Sequence, residues 1–291
     1  MKKLLVFLGA TLGFVLGFQD VALAWGPGIH VATGNFLLEN LQLILPNIAN
    51  TISAFHQHFL YGCLSADMYV GKGKTLTDTH CHNWRTGFRL LEGNQDPALQ
   101  SYAYGYLAHL AADTVAHNYY VPNMLQCTPG AGKFNHVYIE MQADQKEGGK
   151  LPLNLVSQGT HHRADARLVS VLEKPQLSFQ LKKKLFQSGV AVSRLKSWRV
   201  SLEMMDKAMP MAQGEAYLQE MLQLTLAVML DLFNDPDQAT ALDYDPMGYA
   251  SLDQAKRYRR VAGRISSHPQ QQAERFFLPD RKLTTLQNLR N

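Results

Sequence analysis

Apolar residues recur at helical spacing over residues 29–45, 98–120, 132–146, 177–197 and 213–233, and no stretch keeps the strict alternation of a half-buried strand. The pattern predicts an all-α protein, a multi-helix bundle. Asp96 and Pro97 mark the start of the second of these helices, because Asp is a strong N-cap and Pro is preorganised for the first helical turn. That helix is expected to stop at Pro122, the first proline in the run. Loops are expected at 71–73, 129–132, 148–149 and 234–237, where Gly, Pro and Asp or Asn cluster.

The polar positions within two of these helices carry the chemistry. His109, Asp113 and His117 follow one another at steps of four, which keeps them on one helical face with a drift of about 40° per step. His136 and Glu140 repeat the spacing on the next helix, with Asp144 one step further. A single His pair on an apolar face is ordinarily a satisfied core residue. Two helices that both present His and carboxylate at i and i+4 instead predict a metal site inside a bundle. Further candidates sit near the chain start and in the middle: Trp25 with His30, then Asp67, then His80 and His82 with Trp84, in a Gly- and Thr-rich segment that reads as a loop.

The first residues are Lys2-Lys3, an apolar run from Leu4 to Phe18, and Ala22-Leu23-Ala24, a small-x-small pattern. This predicts a signal peptide over 1–24, cut so that Trp25 becomes the N-terminus, and a periplasmic or secreted product. The run is shorter than the ~20 residues a spanning helix needs. Its removal takes away Lys2, Lys3 and Asp20 and lowers the formal charge of +4 by one, too mild a balance to demand a nucleic-acid partner. The expected layout is a helical domain over 25–245 and a basic helical extension over 246–291, in which Lys256, Arg257, Arg259, Arg260 and Arg264 form a solvated face or a lipid- or phosphate-binding patch. Cys63, Cys81 and Cys127 leave one cysteine over if two pair, so the fold is not disulfide-stapled, and Cys81 is expected to pack or pair rather than bind a metal.

The order Trp25, His30, Asp67, His82 with Trp84, His109, Asp113, His117, His136 and Glu140 resembles the zinc-dependent phospholipase C and single-strand nuclease superfamily. The short Asp113–His117 spacing is most similar to the catalytic domain of glycosylphosphatidylinositol-specific phospholipase D. The resemblance runs over residues 25 to 145. It implies an all-α bundle with a trinuclear metal cleft holding about three zinc ions. Asp67, His82 and His109 would hold one ion, and the Trp25 amine and carbonyl with His30 a second. Asp113 would bridge those two, and His117, His136 and Glu140 would hold the third. Asp67 and Asp113 would be the catalytic carboxylates. His80 competes with His82 for one position, and the His-x-Trp pattern through Trp84 favours His82. His161 and His162 fall outside the resemblance and are expected at the surface.

The resemblance implies a secreted monomeric hydrolase that uses metal-activated water on a phospholipid or other phosphodiester, with peripheral membrane contact. The alternatives are a single-strand nuclease, whose partner would be nucleic acid, and a non-catalytic zinc-binding protein. The metals alone suffice for the reaction, so the substrate depends on cleft walls that this pattern does not specify.

Overall fold

The computed structural model describes residues 25–69, 77, 79–128, 133–148, 153–157, 161–208, 214–265 and 275–288. The expected signal peptide and the expected loops at 71–73 and 129–132 lie outside them, as does Gly149. The described residues contain no strand.

The chain begins with α1 (Pro27–Glu39), α2 (Pro46–Ala54) and α3 (His56–Ser65), and α4 (Trp84–Leu91) follows the site loop. Next come α5 (Pro97–Val115), a π-helical turn (Ala116–Tyr120), α6 (Val121–Cys127) and α7 (Lys133–Glu147). The remaining helices are α8 (Leu153–Ser157), α9 (His162–Leu172), α10 (Gln176–Ser193), α11 (Lys196–Ala208), α12 (Glu215–Asn234), α13 (Tyr249–Ile265) and α14 (Arg281–Asn288). No described helix is long and apolar enough to cross a membrane.

The central element is α5, buried almost all round rather than along one stripe, with one apolar cluster on either side of it. Asp96 caps it as expected, its Oδ1 accepting the Ala98 N–H at 3.0 Å. Against α5 lies α3, at a crossing where a Cβ on Gly62 would come within 2.1 Å of the Tyr102 carbonyl oxygen and one on Gly105 within 1.9 Å of the Phe59 carbonyl oxygen. Only glycine at both positions lets the two backbones touch. This contact brings the end of α3, and Asp67 just beyond it, against the turns of α5 that carry His109 and Asp113.

The helical runs depart from expectation in three places. The run over 29–45 breaks at Asn40, where the side-chain amide donates to Phe36 O at 2.8 Å, and α2 starts afresh at Pro46. The run over 177–197 turns after Ser193, which lets Trp198 and Leu202 of α11 reach Val137 of α7. Pro122 does not stop its helix. In the preceding π turn the Val121 N–H bonds the Ala116 carbonyl five residues back, so the helix has already widened where the proline ring would clash, and α6 runs on to Cys127.

Candidate metal centre

His109 and Asp113 face the junction of α1, α3 and the loop before α4, where Asp67 and His82 converge on them. All four residues are buried to within 1% of completely. His82 Nε2 lies 3.1 Å from His109 Nε2, 3.1 Å from Asp113 Oδ2 and 3.3 Å from Asp67 Oδ1. His109 Nε2 lies 3.3 Å from Asp113 Oδ2 and 3.8 Å from Asp67 Oδ1. Ligands on a tetrahedral zinc with bonds of about 2.0–2.1 Å stand about 3.3–3.5 Å apart. Five of the six separations among the four atoms thus fall at 3.1–3.8 Å, close to that spacing.

The other oxygen of the same carboxylate, Asp113 Oδ1, lies 3.2 Å from His30 Nε2 on α1. Both Asp113 oxygens and His30 Nε2 are buried, and none of the three is in a well-aligned hydrogen bond. Buried polar atoms are ordinarily satisfied. Asp113 thus turns one oxygen toward His82 and His109 and the other toward His30, the arrangement a carboxylate bridging two cations would need.

A third group is formed by His117 in the π turn and His136 and Glu140 on α7, whose donor atoms lie within 4.8 Å of one another. His136 Nε2 is 2.7 Å from Glu140 Oε1. The rings of His117 and His136 meet edge to face at 5.7 Å. His136, with 12% of its side chain exposed, is the accessible edge of the centre, for Glu140 and His117 are buried.

The backbone fixes which nitrogen of each ring faces inward. His109 Nδ1 is 2.8 Å from Cys63 O and His117 Nδ1 is 2.7 Å from Pro246 O. A carbonyl only accepts, so each Nδ1 carries the proton and each Nε2 turns a lone pair to the site. Burial pushes the Asp113 carboxyl up, but His109, His30 and His82 outweigh it and hold Asp113 well below the usual carboxylate range. Burial, helped by His109, holds His30 below its usual value against the pull of Asp113. Imidazole nitrogens around a carboxylate are the donor set that suits zinc.

Between the competing histidines, the structure places His82 in the group with Asp67, His109 and Asp113. His80 Nδ1 accepts the His82 backbone N–H at 3.1 Å, and His80 O accepts the Thr86 hydroxyl at 2.8 Å, so His80 shapes the turn that presents His82. Cys81 is buried with Sγ 3.3 Å from His82 Nδ1, and all three cysteines are free thiols. Trp25 is fully buried, its ring 4.7 Å from that of Tyr120 in the π turn. Asp144 does not join the third group. Its Oδ1 accepts the Ile29 N–H at 2.8 Å and so holds the first turn of α1, while burial pushes its carboxyl up to about 6. His161 is not at the surface: it is buried, stacked on Tyr61 at 4.0 Å in a cluster apart from the metal centre, whereas His162 is exposed.

Sequence reasoning missed Tyr244, Asp245 and Pro246. Their carbonyls receive, in order, Trp84 Nε1 at 2.9 Å, Asn118 Nδ2 at 2.9 Å and His117 Nδ1 at 2.7 Å. Backbone acceptors have no residue signature; the only local signal was the turn-forming Asp-Pro-Met-Gly at 245–248. In the basic stretch that follows, Arg259 turns inward and donates to Leu125 O and Thr128 O at the end of α6.

An all-α bundle enclosing clustered buried His and carboxylate groups has the donor sets of a metal-binding protein. The model of the family described as zinc dependent phospholipase C matches residues 29–189, more than half of the chain, and the chain belongs to that family. The match extends past the span of the sequence resemblance, into α10. No curated protein and no solved structure matches the chain. Family membership supports a zinc-dependent hydrolase acting on a phospholipid or another phosphodiester.

Proposed function

We propose that the chain is an exported, monomeric phospholipase C-like enzyme that cleaves the phosphodiester of a lipid headgroup with about three zinc ions. The observation that carries this reading is the set of separations among Asp67, His82, His109 and Asp113, which at 3.1–3.8 Å lie close to the spacing of ligands on one zinc ion. In this reading Asp67, His82 and His109 would hold the first ion, and Asp113 would be shared with a second held by His30 and the Trp25 amine and carbonyl. His117, His136 and Glu140 would hold the third. The short Asp113–His117 step supports the likeness to the glycosylphosphatidylinositol-phospholipase D type.

When bound, zinc supplies the Lewis acidity that lowers the pKa of water and polarises a phosphoryl oxygen. The chain supplies the rest. Asp113, its carboxyl held low, stays charged throughout the neutral range and keeps one oxygen toward each side of the site. The Cys63 and Pro246 carbonyls hold the His109 and His117 rings in their donor tautomers. Burial of the group keeps its electrostatics strong, and the partial exposure of His136 supports approach of the substrate from that side.

The test is to assay the purified chain, processed after Ala24, against phosphatidylcholine, a glycosylphosphatidylinositol, single-stranded DNA and a generic phosphodiester, each with and without a chelator. The expected result is chelator-sensitive release of the headgroup phosphate from lipid. Cleavage of DNA alone would transfer the site to the nuclease reading, and stoichiometric zinc without turnover on any substrate would make it a zinc-binding protein.

A further inference from the structure

Of the eleven strongly exposed large apolar side chains among the described residues, six lie on α10, on α11 or on the turn between them. On α10, Phe179, Phe186 and Val190 face the core, while Leu177, Leu181 and Leu185 are 70%, 58% and 53% exposed. The three leucines follow at steps of four, half a turn round the helix from the buried set, and form a ridge on the side that faces away from the protein. On α11, Trp198 and Leu202 are buried, and Val200 and Met204 are again exposed on the opposite side. A helix needs one apolar face to pack on its own protein, and these two carry a second.

The charge around this surface selects its occupant. Lys174, Lys184, Arg194, Lys196, Arg199 and Lys207 are all exposed along the hairpin, against the acidic Glu173 beside Lys174 and Glu203 and Asp206 on α11. Apolar side chains bounded by long cationic ones suit the boundary between acyl chains and anionic headgroups, where the cations reach the phosphates and the leucines enter beneath them. The hairpin is also joined to the metal centre: Trp198 and Leu202 pack on Val137, and Leu202 O accepts Gln142 Nε2 at 2.9 Å, both on the helix that carries His136 and Glu140.

We propose that the α10–α11 hairpin is a docking surface for an anionic phospholipid bilayer, with Leu177, Leu181 and Leu185 entering the membrane. The proposal deepens the lipid reading above and rests on it only for what docking serves, since binding is read without turnover. The full processed chain is sedimented with vesicles of phosphatidylglycerol or of phosphatidylcholine. It is expected to pellet with the former, less with the latter, and less with either as salt is raised. The variant L177S/L181S/L185S should bind phosphatidylglycerol vesicles at least about tenfold more weakly, and K184Q/K196Q/R199Q should lose most of the preference for the anionic lipid. These positions are exposed, so the thermal midpoint should be unchanged, and so should turnover of a soluble short-chain phosphodiester. Absence of that turnover in the unsubstituted chain would count against the hydrolase reading alone. Equal vesicle binding by the leucine variant and the unsubstituted chain would overturn the docking proposal. So would a concentration-dependent dimer that the leucine variant abolishes while vesicle binding is absent, for the ridge would then be a contact between copies of the chain.

Discussion

His117 Nδ1 lies 2.7 Å from the carbonyl oxygen of Pro246, a residue 129 positions later in the chain. The link is one of three consecutive contacts. Trp84, beside the His82 loop, and Asn118, beside His117, bond the carbonyls of Tyr244 and Asp245. The strap from Tyr244 to Gly248 thus ties together the two segments that present His82 and His117, and it lies beyond the matched span of residues 29–189.

Gly248 closes the strap. Its φ is +53°, and a Cβ there would sit 2.3 Å from the His117 carbonyl oxygen, so both the backbone conformation and the space exclude a side chain. Gly248→Ala should displace the Pro246 carbonyl and free the His117 ring. Loss of an orienting partner of this kind costs roughly 10–100-fold in metal affinity. Zinc titration by calorimetry should show one weakened equivalent with the others retained, in protein that still melts cooperatively. An unchanged isotherm would mean that the strap plays no part in holding the metal.

Asp113 faces His82 and His109 with one oxygen and His30 with the other. A carboxylate shared in this way would serve two ions, whereas His30 would serve one. Asp113→Asn should therefore lower zinc content and turnover more than His30→Ala, with elemental analysis showing about two ions lost against about one. Equal losses would argue that the carboxylate does not bridge.

The helical spacing that predicts the bundle also carried most of the centre, because ligands at i and i+4 keep their relation whatever the helix packs against. His109 with Asp113, and His136 with Glu140, were legible for that reason. Asp67 and His82 sit on loops, where spacing implies no geometry, and only their order along the chain pointed to them. Asp144 misled: the step of four placed it on the ligand face, but the helix had by then reached the start of α1, where the Ile29 N–H needed an acceptor. The π turn was invisible because Pro122 ordinarily ends a helix and nothing in residues 116–120 announces the extra residue. The strap was invisible because its work is done by carbonyls.

Burial of His161, followed by the nearby His58 and Lys183 charges, lowers its pKa from 6.5 to about 4. The folded protein thus resists a proton that the unfolded chain accepts. Stability from the neutral ring is present above pH 6.5 and is lost as pH falls from 6.5 through about 4. His161→Gln forfeits the stack on Tyr61 but takes up no proton. In the presence of chelator, so that zinc release does not contribute, the gap in unfolding free energy between the two proteins should narrow with falling pH. The slope should be less than about 1.4 kcal/mol per pH unit. A gap independent of pH between 6.5 and 4 would show that His161 is protonated alike in both states.

Processing after Ala24 would leave Trp25 with a free α-amine, and only that form can supply the nitrogen proposed for the second ion. A peptide nitrogen cannot replace it, because its lone pair is delocalised into the amide. The fold separates this role from packing. Trp25 is buried against Tyr120, and the first turn of α1 is held independently by Asp144, so a methionine placed ahead of Trp25 leaves the anchors of the helix and of His30 in place. The Met-extended chain should accordingly fold and melt like the processed one while binding its second zinc more weakly and turning over substrate much more slowly. Trp25→Phe in the processed chain should retain the zinc, since the indole is not the ligand, and should lose only part of the packing. If instead the Met-extended and processed forms carry the same zinc and the same rate, the N-terminal chelate is wrong, and the second ion is held by His30, Asp113 and solvent.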